Sequence, residues 1–391
     1  MRRNWFLLLI LSFWTCAPTT QLARAAEPIL VELTVTQGDG SEKVFQGKSL
    51  AHDKTRCLLM QRNGELADIT LANVKSFRQA APVFRPIPLV QVRDDLRNEY
   101  RGQLEVVAAG PFVVCGPAGT VAPMAALVEE VHDAFRRFFT RRQFRLEPLE
   151  FPLVVMVFPS RSDFEKYATA DMGDVPSTMR GYYSSRTNRT ALYVDQPKRV
   201  TGSQSGSVGT ATALGGTSDA ATVTGTLIHE AIHQLAYNYG LHSRISETPR
   251  WLSEGLAMLM EEESMLHDTG AGSAQQRINR PRLLRFQQFS GTRRPAQLLS
   301  TFVASNESFE SMDLLDSYSE AWALSFYLAE NRPQDYARYL KQVAGRSPSE
   351  RLSPSEQLAE FQSYFGQDLK VFESRYLTFI KGLRLDKVAA R

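Results

Sequence analysis

Residues 226–240 read TLIHEAIHQLAYNYG, and the rest of the chain is best read outward from them. Successive residues of a helix rotate by about 100°, so side chains four apart share one face, one turn up. His229 and His233 can therefore aim two imidazole nitrogens at one ion. Glu230 is angled away from that point, where it can take a proton from an attacking water rather than ligate. The bland alternative rests on the same residues. Leu227, Ile228, Ala231, Ile232, Leu235 and Ala236 make the segment apolar nearly all round. A buried helix can carry two hydrogen-bonded histidines and no metal.

A catalytic zinc takes three protein ligands and keeps one position open. Two candidates follow the histidine pair. His242 stands just beyond the helix-ending Gly240, and Glu254 lies in PRWLSEGLAMLM (249–260), a second helix opening after Pro249. Two antiparallel helices joined by a short loop bring Glu254 back over the histidines. A third histidine at metzincin spacing is excluded: Ala236 and Tyr239 occupy the glycine and histidine positions of that pattern.

The 391 residues, 43% of them hydrophobic, allow a sizeable core and make two domains the default. Residues 28–79 alternate apolar and polar in short runs (ILVELTV, KVFQGKSL, CLLMQ, ADITLANVKSF) with turns at Gly38-Asp39-Gly40 and Asn63-Gly64. They predict a small β domain over 27–80, with a barrel-like closure as one arrangement. A proline-rich link, APVFRPIPL (81–89), and a short helix, VRDDLRNEY, fill 81–102.

From 103 the pattern is mixed. LEVVAAG and FVVCG suggest paired strands. Met124, Leu127, Val131, Phe135 and Phe138 form one stripe of a helix over 123–140. FPLVVMVFP is a buried strand, RSDFEKYATA a helix, and GYYSSRTNRTALYV a hairpin turning at Thr187-Asn188. Residues 201–218 are rich in Gly, Ser and Thr and read as a surface linker or a flap over the site. Helices are then expected at 219–239, 249–264, 314–331, 333–344, 354–364 and 367–382. In RRFFTRRQFR (136–145) the phenylalanines are expected in the core and the arginines on a solvated face.

The first 26 residues predict a secretory signal: Arg2 and Arg3, an apolar run from Trp5 to Trp14, and Ala23-Arg24-Ala25 as an A-x-A cleavage site. Lipidation at Cys16 is not expected, because Phe13-Trp14-Thr15 makes a poor lipobox. The formal charge of +3 arises from 45 basic and 42 acidic residues. Arg2, Arg3 and Arg24 would leave with the signal, giving 42 against 42. Such a balance does not argue for a nucleic-acid partner, and none is expected. Cys57 and Cys115 have no C-x-x-C partner, and in an oxidising compartment the two can pair.

His229-Glu230-x-x-His233 followed by Glu254 within WLSEGLA resembles the gluzincin metallopeptidases, above all the peptidase-MA-like group. Within it the chain resembles an uncharacterised family of exported HExxH proteins common in planctomycetes. VVMVFPSRSDFEKYA, GYYSSRTNRTALYV and YSEAWALSFYL extend the likeness over roughly residues 40–385. The resemblance implies an α+β, zincin-like metallopeptidase domain over 103–391: a mixed sheet followed by a mainly helical part. It implies one zinc ion held by His229, His233 and Glu254, with Glu230 as general base and a peptide or protein as substrate. Tyr318 matches by position a tyrosine that steadies the oxyanion, with Tyr182, Tyr183 and Tyr237 as competitors. TALYV (190–194) resembles the edge strand that pairs with substrate. There is no G-x-M-E-N stretch to read a free amine, so aminopeptidase action is not implied. Met258 stands where thermolysin-like relatives carry an acid that orients a ligand, which leaves Asp316 and Glu320 as candidates for that role. The rival expectation is a zinc-binding or inactive scaffold that acts as a cell-envelope binding protein.

Overall fold

A computed structural model describes residues 27–194, 217–268 and 273–384. The predicted signal and almost all of the Gly/Ser/Thr-rich stretch lie outside them. The chain is α+β: an antiparallel sheet comes first, and a mixed sheet leads into a mainly helical part. None of the described helices is long and apolar enough to cross a membrane.

The first sheet contains β1 (Leu30–Thr36), β2 (Glu42–His52), β3 (Arg56–Gln61), β4 (Leu66–Thr70) and β5 (Val74–Ala81). Its order is β4-β3-β2-β1-β5, so it is an open sheet rather than a closed barrel. One face buries Val31, Leu33, Val35, Leu59 and Ile69. The other face packs Leu30, Met60, Leu66 and Phe84 on Phe151 of the following part. Arg244 ties the two together, donating to the carbonyls of Gly64 (2.6 Å) and Ser185 (2.8 Å).

After α1 (Leu89–Tyr100) come β6 (Glu105–Ala109), β7 (Phe112–Gly116), α2 (Val121–Arg141), β8 (Leu153–Phe158), α3 (Arg161–Met172), β9 (Gly181–Ser184) and β10 (Arg189–Tyr193). The second sheet runs β6-β7-β8-β10-β9, with β7, β8 and β10 parallel and both outer strands antiparallel. Its three central strands, β7, β8 and β10, are buried on both faces. Leu153, Val155 and Val157 join the main core, while Val154, Met156 and Phe158 pack on the opposite side with Phe164 of α3. Burial on both faces explains why FPLVVMVFP is apolar without alternation.

The sheet corrects the expectation for TALYV. β10 pairs with β8 on one side and β9 on the other, so it is internal; among the described residues GYYS of β9 is the outer strand at this end of the sheet. The hairpin was legible, but which of its strands joined β8 was not. Cys57 and Cys115 are both free and buried, one in each sheet.

The helical part begins with α4 (Thr217–Asn238) and α5 (Arg250–Met258). The second is shorter than the predicted 249–264. Three helices that the sequence reading passed over follow: α6 (Arg280–Thr292), α7 (Leu298–Ala304) and α8 (Ser308–Ser311). Then come α9 (Leu314–Asn331), α10 (Pro333–Ala344), α11 (Pro354–Phe365) and α12 (Leu369–Gly382). Phe135, Phe138, Phe139 and Phe144 are buried as expected. Not all the arginines among them are solvated: Arg142 lies over the Phe138 ring, 3.7 Å from its centroid, and pairs with Glu330 (2.5 Å).

Candidate metal site

The helix α4 is held on the second sheet by polar side chains in an otherwise apolar interface. Gln234 is fully buried and donates to the carbonyls of Val154 (3.1 Å) and Asn188 (2.9 Å). Asn238 and Asn188 exchange amide hydrogen bonds of 2.7 and 3.0 Å. Leu227, Ile228, Ala231, Ile232, Leu235 and Ala236 are all fully buried. Apolar packing and fixed amides together set the rotation of α4, and the remaining face turns His229, Glu230 and His233 into a cleft.

Glu254 reaches the same point from α5, which is clamped by its next residue. A Cβ on Gly255 would stand 2.2 Å from Ser325 Oγ and 2.5 Å from the Ala321 carbonyl of α9. Only a glycine lets α5 and α9 approach this closely. The result is a compact triangle. His229 Nε2 lies 3.2 Å from His233 Nε2 and 3.4 Å from Glu254 Oε2, and His233 Nε2 lies 3.7 Å from that oxygen. Among the described residues, this is the cluster of His, Cys, Asp and Glu able to hold a metal ion. His242 is not part of it. Its ring is buried beside Tyr237, centroids 5.2 Å apart, and neither nitrogen has a hydrogen-bond partner among the described residues.

The far nitrogen of His229 is fixed by Glu261, which the sequence reading did not single out. Nδ1 lies 3.0 Å from Glu261 Oε2. The other Glu261 oxygen accepts from Asn279 Nδ2 (2.7 Å) and Arg282 Nε (2.9 Å). Burial raises the pKa of Glu261, but His229 and Arg282 outweigh it and bring it down to about 2. Asp316 and Glu320 do not play this part. Asp316 pairs with Arg285 and Arg293, and Glu320 with Arg294. The acid run at 261–263 was the one available signal, but it follows the end of α5, where helical spacing no longer predicts direction.

Burial raises the pKa of the Glu230 carboxyl, and the two imidazoles partly offset this. The backbone N–H of Tyr183 on β9 acts in the same direction as the imidazoles, more weakly. Burial likewise works to raise that of Glu254, yet the two imidazoles facing it hold it well below the usual range.

The cleft encloses about 650 Å³. It is formed by residues 176–185 leading into β9, by α4, and by the first turns of α5 and α9. Gly181 allows this strand close to α4, since a Cβ there would meet Thr226 Cγ2 at 2.7 Å. Tyr318 lines the cleft together with all three cluster residues, and its hydroxyl accepts a hydrogen bond from Arg250 Nη2 at 3.3 Å. Tyr182, Tyr183 and Tyr237 also line it.

A two-histidine, one-carboxylate cluster beside a half-buried glutamate, at the rim of a mixed sheet, is the class of site that fold and geometry define. The family described as "Protein of unknown function (DUF1570)" matches residues 223–350, a span holding both histidines, Glu254, Glu261 and Tyr318. No curated protein matches the chain.

Proposed function

We propose that this chain is an exported, zinc-dependent metallohydrolase that cleaves peptide bonds. The observation that carries the proposal is the triangle of His229, His233 and Glu254 with Glu230 at its side. Ligands about 2.0–2.1 Å from a tetrahedral zinc stand roughly 3.4 Å from one another. The three measured separations, 3.2, 3.4 and 3.7 Å, scatter around that value. The donor set also fits: two imidazoles and one carboxylate leave a fourth position toward the cleft. Glu261 accepts from Nδ1 of His229, which leaves the Nε2 lone pair facing the cluster.

A zinc ion bound there supplies Lewis acidity toward a water and a scissile carbonyl. The chain's own residues supply the rest. Glu230, with its raised pKa, takes the proton of the attacking water and returns it to the leaving amine. Tyr318 accepts from Arg250, so its own O–H is directed elsewhere, and it serves as the donor to the oxyanion. The outer edge of β9 lies on the cleft, where an extended substrate can add as a strand. Export rests on the N-terminal signal pattern in the sequence.

The test is a peptide library digested by the wild type and by Glu230→Gln, read by mass spectrometry. The wild type should cut, and the variant should be slower by about 100-fold or more. Equal cleavage by both removes the mechanism, and no cleavage by the zinc-loaded wild type favours a binding scaffold.

A further inference from the structure

We infer that Arg250 is the anchor for a substrate carboxylate, so that the cleft selects peptides carrying a negative charge close to the scissile bond. This rests on the hydrolase reading above and adds a substrate class to it.

Arg250 opens α5 and Glu254 follows four residues later, so the two share a helix face. Arg and Glu at that spacing commonly pair. Here they do not, because Glu254 is turned toward the histidines. The guanidinium instead lies over the Phe309 ring, 4.7 Å from its centroid, and donates one hydrogen bond to Tyr318. No carboxylate among the described residues comes within ion-pairing distance of it.

Its neighbours differ. Arg282 pairs with Glu261, Arg285 with Asp313 and Asp316, and Arg294 with Glu320 and Glu373. Arg250 is thus a half-buried cation, braced by two aromatic rings, facing a cleft without its counter-ion. One N–H is taken by Tyr318, and the planar fork keeps others for a carboxylate, the anion whose geometry it matches. That carboxylate can be an acidic side chain or a free C-terminus.

The test uses binding, so it does not depend on turnover. Glu230→Gln protein is titrated with three labelled peptides of one neutral sequence: C-terminally amidated, with a free C-terminal carboxylate, and amidated with Glu flanking the central bond. Anisotropy should show one carboxylate peptide binding about tenfold or more tighter than the neutral amide. Which one it is distinguishes a terminal from a side-chain carboxylate. Adding Arg250→Met should abolish the preference, and Arg250→Lys should keep part of it. Equal binding of all three peptides to the Glu230→Gln protein, or a preference that survives Arg250→Met, overturns the inference. Should the carboxylate preference hold while the zinc-loaded wild type cleaves none of the peptides, the hydrolase reading fails and this one stands.

Discussion

His229 Nδ1 and Glu261 Oε2 stand 3.0 Å apart, and that contact decides which nitrogen of His229 faces the cluster. Glu261 is itself held by Asn279 and Arg282 from the start of α6. The orientation of a first-rank ligand candidate is therefore set by a helix that contributes no ligand.

Glu261→Gln should weaken zinc binding by about 10–100-fold while leaving all three ligands in place. Competition with a chromogenic chelator measures this. Unchanged affinity would show that His229 needs no external orienter.

Gly255→Ala tests the clamp behind Glu254. The added methyl meets Ser325 and Ala321 below van der Waals contact, so α5 and α9 must separate. A stability loss of about 1–3 kcal/mol is expected, with weaker zinc binding because Glu254 moves with its helix. Denaturant midpoints and zinc titrations of the same preparations report both. A wild-type midpoint would mean the helices can part freely.

Glu320 is fully buried and paired with Arg294, whose side chain is 6% exposed. Glu320→Ala leaves that arginine with only Glu373 and should cost about 3–5 kcal/mol. Zinc affinity of the folded protein should not change. A loss of affinity without loss of stability would restore Glu320 as an orienter of the ligands.

Some of this was legible from residues 226–260 alone. The four-residue spacing of His229 and His233, and Pro249 opening the helix of Glu254, are local signals, and the structure places the three side chains together. What the sequence could not convey depended on non-local choices. GYYS and TALYV form a plain hairpin, and only the seating of β10 beside β8 makes β9 the edge. Glu261 lies in a turn beyond α5, where no periodicity marks its direction. Asp316 and Glu320 were drawn to the site by their nearness to Tyr318 in sequence, whereas the arginines of 285–294, on and just beyond α6, claim them in space. α6 itself was missed because its apolar positions are sparse among arginines and glutamines.

His242 gives the fold a pH dependence. Burial holds its pKa down at about 3, against an ordinary 6.5. Between those values the unfolded chain binds the proton and the folded chain does not, so stability falls as pH drops below 6.5. The loss from pH 7 to pH 5 is on the order of 2 kcal/mol. His132 shifts in the same direction, so the isolating measurement is a comparison with His242→Leu. Urea midpoints at the two pH values should fall further for the wild type. Parallel shifts would mean that His242 is protonated in the folded state.

The most direct test of the central claim is zinc stoichiometry by elemental mass spectrometry on purified wild type, Glu230→Gln and His233→Ala. The account predicts close to one zinc per chain in the first two and a large loss in the third. A wild type that takes up no zinc, or a His233→Ala protein that keeps its full complement, would contradict it.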